Sequence, residues 1–447
     1  MPLTLTGMHA ILVRTGLAAD GDAPLRRQQF ALAILIGAFI FVACLSFRMA
    51  YPYYREYYFL YDGARLPYAL ATVAAFAAIA PAFLYARFSF GYLTSFYFYA
   101  MVLGFLWLNT FSKFQYNHVA AGISAAASMV AYMIPAMLVT RPIGRPYELS
   151  ERAFDRLLRL ILLLCVVTAA IAAFYNFQIV AVGKIYDFRD KLNFPGPLNY
   201  AIGAVTTVLL PFVFACCLVR GRNGLAIASL LVMISFYPST LSKTALFAPV
   251  WLIGMTVISR FFNTRATTIL SLLLPTLAGI VLIVVIGEIT RRYFDLLNVR
   301  TLMVPSNAMD IYNEYIARFE LTHFCQIRFI KPFVSCSLEQ PLSVEMQNIY
   351  ALGNFNASLF ATEGIISVGL WLAPLSVFAC GLIVALGNRL SAGLPPRLIL
   401  LSAGMLPLVM QNVPFSTVLL THGLGALFLL WYLTPRNAFP KETAAAS

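Results

Sequence analysis

Lys243 lies in the stretch YPSTLSKTALFAPVW, Tyr237 to Trp251, with apolar residues on both sides. A second set of cations falls between Glu288 and Gly364: Arg291, Arg292, Arg300, Arg318, Arg328 and Lys331. In the same stretch Asp310, Glu314 and Arg318 stack at four-residue intervals, and Glu363 stands just before Gly364. Cations beside apolar segments suit a lipid-linked phosphate. Arginine grips phosphate through a planar fork, lysine as a point charge. Carboxylates nearby can serve as general bases. Tyrosines such as Tyr312 and Tyr315 suit sugar rings, which stack on aromatic faces and hydrogen-bond through hydroxyls.

Each of these residues also has a plainer role. Lys243 could simply snorkel to a membrane interface. Asp310, Glu314 and Arg318 could be the ion-paired face of a surface helix, worth roughly 0.2–0.5 kcal/mol per pair. Glu363 could complement the N-terminal end of a helix dipole. Asp187 and Asp190, in YDFRDK, alternate with Arg189 and Lys191 and read as an ion-paired loop.

The elements that position these groups are set by composition. The chain has 447 residues, of which 61% are hydrophobic and 11% charged. A water-soluble fold of that size could not cover so much apolar surface, so lipid is its solvent. A spanning helix needs roughly 20 apolar residues. Twelve spans are expected, near 30–47, 67–86, 90–111, 118–140, 157–175, 199–219, 225–240, 245–259, 266–287, 365–387, 398–413 and 416–434. The expected fold is an all-α integral membrane protein. Residues 1–28 form a cytoplasmic tail and 29–287 the first nine spans. Residues 288–364 form a long, partly helical periplasmic loop, 365–434 the last three spans, and 435–447 a second cytoplasmic tail.

Orientation follows from the basic loops. With the N-terminus inside, RPIGRPYELSERAFDR (141–156), RGRNG (220–224), SRFFNTR (259–265) and GNRLSAGLPPR (387–397) are all cytoplasmic. The first 28 residues lack the pattern of a cleaved signal peptide, so the first span is expected to stay as an anchor. The net charge of +13 is scattered over loops without a basic groove, which argues against nucleic acid as a partner.

Within the long loop, VPSNAMDIYNEYIARFEL reads as a helix after Pro305, with Ser306 as its N-cap. Met309, Tyr312, Ile316 and Phe319 would make its apolar face. Cys325 and Cys336 lie together in this loop, bridged or as two free thiols. A bridge would contribute on the order of 3 kcal/mol. The chain has no nucleotide-binding loop, paired CxxC or HExxH, and its four histidines are scattered. No metal and no cofactor are expected.

Three stretches resemble one family. STLSKTALF (239–247) resembles the Ser-Lys/Arg-Ser/Thr turn of bacterial O-antigen and oligosaccharide repeat-unit polymerases. VRTLMVPSNAMDIYNEYI (299–316) resembles their Arg-x-x-x-x-Pro segment and the aromatic helix after it. NFNASLFATEGIISVGLWL (354–372) resembles the close of their large loop. The related O-antigen ligases show Asn-x-x-Leu-x-x-x-Glu-Gly, matched by Asn356, Leu359, Glu363 and Gly364. Where ligases carry a histidine before that asparagine, this chain has Phe355.

The resemblance implies a metal-independent, membrane-embedded glycosyltransferase of the GT-C type in a bacterial inner membrane. It would polymerise oligosaccharide repeats carried on undecaprenyl diphosphate, at the periplasmic face. Lys243, Arg300, Arg291 and Arg292 would hold the lipid diphosphate. Glu363, Asp310 and Glu314 are the candidate catalytic carboxylates. Asn354, Asn356, Tyr312 and Tyr315 would meet the sugars. Expected partners are the lipid-linked oligosaccharides, membrane lipids, and the chain-length regulator and flippase of the same pathway. Two alternatives stand beside it: an O-antigen ligase-like transferase, and a twelve-helix transporter or flippase of lipid-linked oligosaccharide. A transporter is usually built from repeated halves. Here the only segment after span three is SKFQYNH, which does not match the long loop after span nine.

Overall fold

The computed structural model describes residues 25–54, 59–181, 185, 188, 192–327, 329–336, 338, 340–352 and 356–439. Among them the chain is helical, and its strand pairing is limited to an isolated bridge between Phe59 and Ser112. Asn354, Phe355, Arg328 and the acids and bases of YDFRDK lie outside the described residues.

Ten helices are long and apolar enough to cross a membrane. They are α1 (Leu25–Ala50), α2 (Gly63–Tyr85), α3 (Phe90–Phe111), α4 (His118–Leu138), α5 (Glu151–Tyr175), α6 (Gly196–Val219), α7 (Asn223–Thr240), α8 (Lys243–Phe261), α9 (Thr264–Val285) and, after the long loop, α12 (Phe360–Ser391). The protein is therefore a multi-span membrane protein. Five of these helices start at side-chain caps: Asp62 accepts the Ala64 N–H before α2. Ser89, Asn117, Ser150 and Asn263 each accept a backbone N–H from the first turn, which satisfies one of the donors a helix start leaves open.

The last two expected spans are interrupted. In place of 398–413 stand two short helices, α13 (Pro396–Ser402) and α14 (Leu406–Met410). In place of 416–434 stand α15 (Phe415–Leu420) and α16 (Leu424–Leu433). Twelve continuous spans are thus not what the sequence forms. The causes are local. Pro407 removes a donor in the first break, and the Gly404 carbonyl in that break accepts the Trp251 indole N–H at 3.1 Å. Gly423 makes the second break at φ +85°, a conformation that favours glycine.

The bundle is built around α3, which is buried along its whole length. The segment between α9 and α12 also departs from expectation. Much of it is a continuous run of helix: Arg291–Phe294, a wider π-helical stretch Asp295–Met303, then α10 (Val304–Arg318). Every residue from Val304 to Tyr315 is buried. Ser306 is not an N-cap. Its hydroxyl lies 2.9 Å from the Met101 carbonyl and 2.7 Å from that of Leu302. Met101 is in the middle of α3, so this segment plunges into the bundle. Gly104 makes the approach possible, since a Cβ there would meet the Ser306 hydroxyl at 2.2 Å. A short helix, α11 (Leu342–Tyr350), follows.

The ends of the bundle differ in their contacts. At one end, arginines take up helix-terminal carbonyls. Arg145 donates to Leu390 and Ala392, Arg436 to Leu390, Ala392 and Trp431, and Arg265 to Leu84 and Ala86. Arg220 and Arg222 clamp Asp155 at 2.5 and 2.6 Å. The basic loops read from the sequence thus gather on one side. The other end is rich in loops and holds the candidate residues.

Candidate functional site

Three carboxylates of the loop-rich end are buried, and each has different partners. Asp310, on α10, is sealed from solvent. The Ser112 hydroxyl donates to its Oδ2 at 2.8 Å, and the Tyr116 hydroxyl meets its Oδ1. Both partners come from the short connection between α3 and α4. Burial pushes the Asp310 carboxyl up to about 7; the two hydroxyls oppose that rise and nearby Glu314 adds to it.

Glu314 sits one turn further along α10. It accepts Arg318 Nη1 at 3.1 Å and the hydroxyl of Tyr350 on α11. The expected four-residue ion pair between Glu314 and Arg318 therefore forms. The expected surface face does not, because Asp310 and Glu314 point into the protein. The same helix carries Asn307 one turn before Asp310. Its amide is buried and neither polar atom has a partner among the described residues.

Glu363 lies in the first turn of α12. It accepts the peptide N–H groups of Phe415 and Ser416 at 3.0 and 2.9 Å. It also accepts the hydroxyls of Ser416 at 2.8 Å and Thr362 at 2.6 Å. Both oxygens are thus engaged at the start of α15. Of the roles read from the sequence, the structure displays a helix-terminal charge, but for α15 rather than for the start of its own helix.

The remaining candidates fall into two groups. Tyr312 and Tyr315 are buried on α10, with Tyr315 stacked on Phe319 at 4.6 Å between centroids. Tyr312 feels the charge of Glu363, so α10 and the first turn of α12 share one polar region. Asn356 is half-buried where the chain enters α12. The cations lie apart. Arg291 donates to the Tyr53 carbonyl at 3.1 Å and covers the Tyr53 and Tyr54 rings. Arg292 and Arg300 are exposed on the same helical run. Lys243 is the exposed first residue of α8, just after Leu241 turns through φ +47°.

Two further features organise this end. Cys325 and Cys336 are bridged, with Cα atoms 5.5 Å apart. Beside the bridge, Thr322 N–H donates to the Ile366 carbonyl at 2.8 Å and Gln326 Nε2 to that of Thr362 at 3.0 Å. These carbonyls belong to the start of α12, where a π-helical stretch and Gly369 at φ +78° disturb the ladder. The bridged loop thus satisfies groups that the distorted helix leaves open.

The residues missed in the sequence are Ser112, Tyr116, Asn109 and His118. They lie in or beside SKFQYNH, which reads as a mere connection. The available signal was its density of hydroxyl, amide and imidazole groups at a span end. Fold and site together define a multi-span helical membrane protein with buried carboxylates at its loop-rich end. Compared with protein-family models, curated proteins and solved structures, the chain matches none.

Proposed function

We propose that this protein is a membrane-embedded glycosyltransferase of the GT-C type, a polymerase of oligosaccharide repeats carried on undecaprenyl diphosphate. The loop-rich end would face the periplasm of a bacterial cell. One observation supports the reading above the rest. A single helical run, Arg291 to Arg318, carries exposed Arg292 and Arg300 near its start and the buried carboxyl of Asp310 further on. A diphosphate leaving group needs fixed positive charge, and the attacking hydroxyl needs a base.

In the reaction, a hydroxyl oxygen of one repeat bonds to the anomeric carbon of another. The bond from that carbon to the diphosphate oxygen breaks, and the diphosphate leaves with the electron pair. Arg292, Arg300 and Lys243 stabilise the leaving charge. The hydroxyl proton passes by way of the partly exposed Tyr116 hydroxyl, which gives its own hydrogen to Asp310, whose proton affinity near neutrality suits a general base. Glu363 is assigned the anchoring of α15, because four donors already occupy its oxygens. An apolar groove of about 190 Å3 between α8 and α9 supports a lipid-linked substrate. It is lined by Phe247, Trp251, Gly254, Met255, Pro275 and Leu297, and Phe247 is one turn from Lys243.

The test is chemical. Purified protein in liposomes, given labelled undecaprenyl-diphosphate-linked repeats, should yield a ladder of longer glycans. Lys243→Gln should cut that yield by roughly 30- to 1,000-fold at equal membrane abundance, since a charge-assisted contact that the bound lipid-linked substrate covers from water is worth roughly 2–4 kcal/mol. Wild-type yield from Lys243→Gln would end its phosphate role and leave Lys243 as an interfacial anchor.

The interrupted helices α13–α14 and α15–α16 favour a second reading, since transporters build their sites from broken helices. Repeats that cross the liposome bilayer without lengthening would establish the transporter instead.

A further inference from the structure

Behind the carboxyl of Asp310 runs a chain of hydrogen bonds that leads to the surface. Tyr116 hydroxyl meets Asp310 Oδ1 on one side and Asn109 Oδ1 on the other, the latter at 2.9 Å. Asn109 Nδ2 donates to the His118 carbonyl at 2.9 Å, and His118 Nδ1 lies 2.8 Å from Asn109 Oδ1. These two contacts fix the amide, because turning it over would set its oxygen against the His118 carbonyl. Tyr116 and His118 are half-exposed, whereas Asp310 is sealed.

The hydrogens in this chain can be counted. The Tyr116 hydroxyl has one hydrogen and faces two oxygens. If that hydrogen goes to Asn109, Asp310 Oδ1 must carry its own hydrogen and donate it to Tyr116. If Asp310 is ionised, Tyr116 must turn its hydrogen to the carboxylate and leave Asn109 Oδ1 with His118 alone. Ser112 does not change the count. Its oxygen accepts the Phe114 N–H at 3.2 Å, and its hydrogen goes to Asp310 Oδ2. Both contacts of the Tyr116 hydroxyl are completed only with a neutral Asp310.

We infer that Asp310, Tyr116, Asn109 and His118 form a proton-binding site, in which Asp310 holds an exchangeable proton and Tyr116 reverses its hydrogen bond when that proton leaves. On release the carboxyl becomes a carboxylate, and the proton goes to water at the half-exposed edge of Tyr116. The surrounding charges set the balance. Glu314, one turn along α10 with its own partners Arg318 and Tyr350, favours the protonated form. Arg65 is the cation near His118, and exposed Lys113 adjoins Ser112. His118 Nε2 lies 3.1 Å from the Phe114 carbonyl, so a second ring proton would also find an acceptor, against the cost of burying that charge. The site stands whether or not the protein is a transferase. If it is, this is where the acceptor's proton would be stored.

The experiment is an infrared pH titration of the full-length protein in lipid nanodiscs, following the carbonyl band of protonated carboxylic acids. A band should fade with a midpoint near pH 7 and be missing in Asp310→Asn. Two near-isosteric variants should move the midpoint in opposite directions. Tyr116→Phe removes a donor to the anion and should raise it by about one pH unit. Asn109→Leu removes the acceptor that competes for the Tyr116 hydrogen and should lower it. A purely structural role would not produce opposite signs. Absence of any such band in the wild-type protein, a band that persists in Asp310→Asn, or shifts of the same sign or no shift in the two variants, would overturn the proposal. Should Asp310→Asn fail to fold, the wild-type titration and the opposed shifts still decide the matter.

Discussion

Glu363 and Asp310 are both buried acids beside the same helix packing, yet their surroundings differ in kind. Glu363 accepts two peptide N–H groups at the start of α15 and two hydroxyls. Peptide donors are fixed by the backbone and cannot reverse, so that site holds the side chain as an acceptor in one geometry. Asp310 has two side-chain hydroxyls as partners, Ser112 and Tyr116. A hydroxyl turns and can accept as readily as donate, so that site tolerates a proton arriving or leaving. Burial alone does not give a carboxylate its role. The ability of its partners to change direction does.

The largest effect that tests this contrast is a pH dependence of stability. In the folded protein Asp310 binds its proton up to about pH 7, against 3.8 for the ordinary carboxyl. Between those values the native state keeps a proton that the unfolded chain has lost. Stability therefore falls as pH rises from about 4 to about 7, by roughly 4 kcal/mol in total, and is level above that. Asp310→Asn removes the slope. Unfolding of wild type and Asp310→Asn in mild detergent, measured over this range, should diverge. Parallel curves would show that Asp310 is ionised throughout and binds no exchangeable proton in this range.

Next in size is the anchor. Glu363→Ala leaves the buried Phe415 N–H and the half-buried Ser416 N–H without partners and should cost about 3 kcal/mol. Glu363→Gln keeps one acceptor oxygen and should cost less. The measurement is thermal unfolding, together with the glycan-lengthening assay. Unchanged stability with activity abolished in Glu363→Gln would reverse the assignment and make Glu363 the base. The bridged loop is a comparable case. Cys336→Ser should cost about 2–3 kcal/mol by relaxing the chain between Cys325 and Cys336, and with it the hold of Thr322 and Gln326 on the start of α12.

Much of this end of the molecule was legible in the sequence, but not its depth. The spans through α9 and α12 follow from long apolar runs, which lipid demands of any crossing helix. The helix holding Asp310 and Glu314 was legible from its periodicity. Its burial was not, because a stripe of Asn307, Asp310 and Glu314 looks solvated until Ser112, Tyr116 and Tyr350 are placed around it. Those partners are distant in sequence, and no local pattern announces them. The interruptions at Gly404 and Gly423 were hidden for a similar reason. Apolar composition continues through both breaks, and only the indole of Trp251 or the positive φ of Gly423 reveals them.

The smallest effect concerns Glu314, which stands between the two cases. One oxygen is paired with Arg318, an ion with its charge in solvent, and the other takes the hydroxyl of buried Tyr350. Tyr350→Phe should cost about 1 kcal/mol, the usual worth of one hydrogen bond, because the carboxylate then keeps only its exposed partner. Arg318→Gln should cost less, and its effect should shrink as salt is added, because an exposed guanidinium is screened. The order of these two variants carries the meaning. If Tyr350→Phe exceeds Arg318→Gln and ignores salt, Glu314 is held mainly by its buried hydroxyl, as Asp310 is. If Arg318→Gln is the larger and vanishes at high salt, Glu314 is a surface ion pair that α10 has only partly covered. The comparison needs nothing beyond unfolding of the two variants at low and high ionic strength.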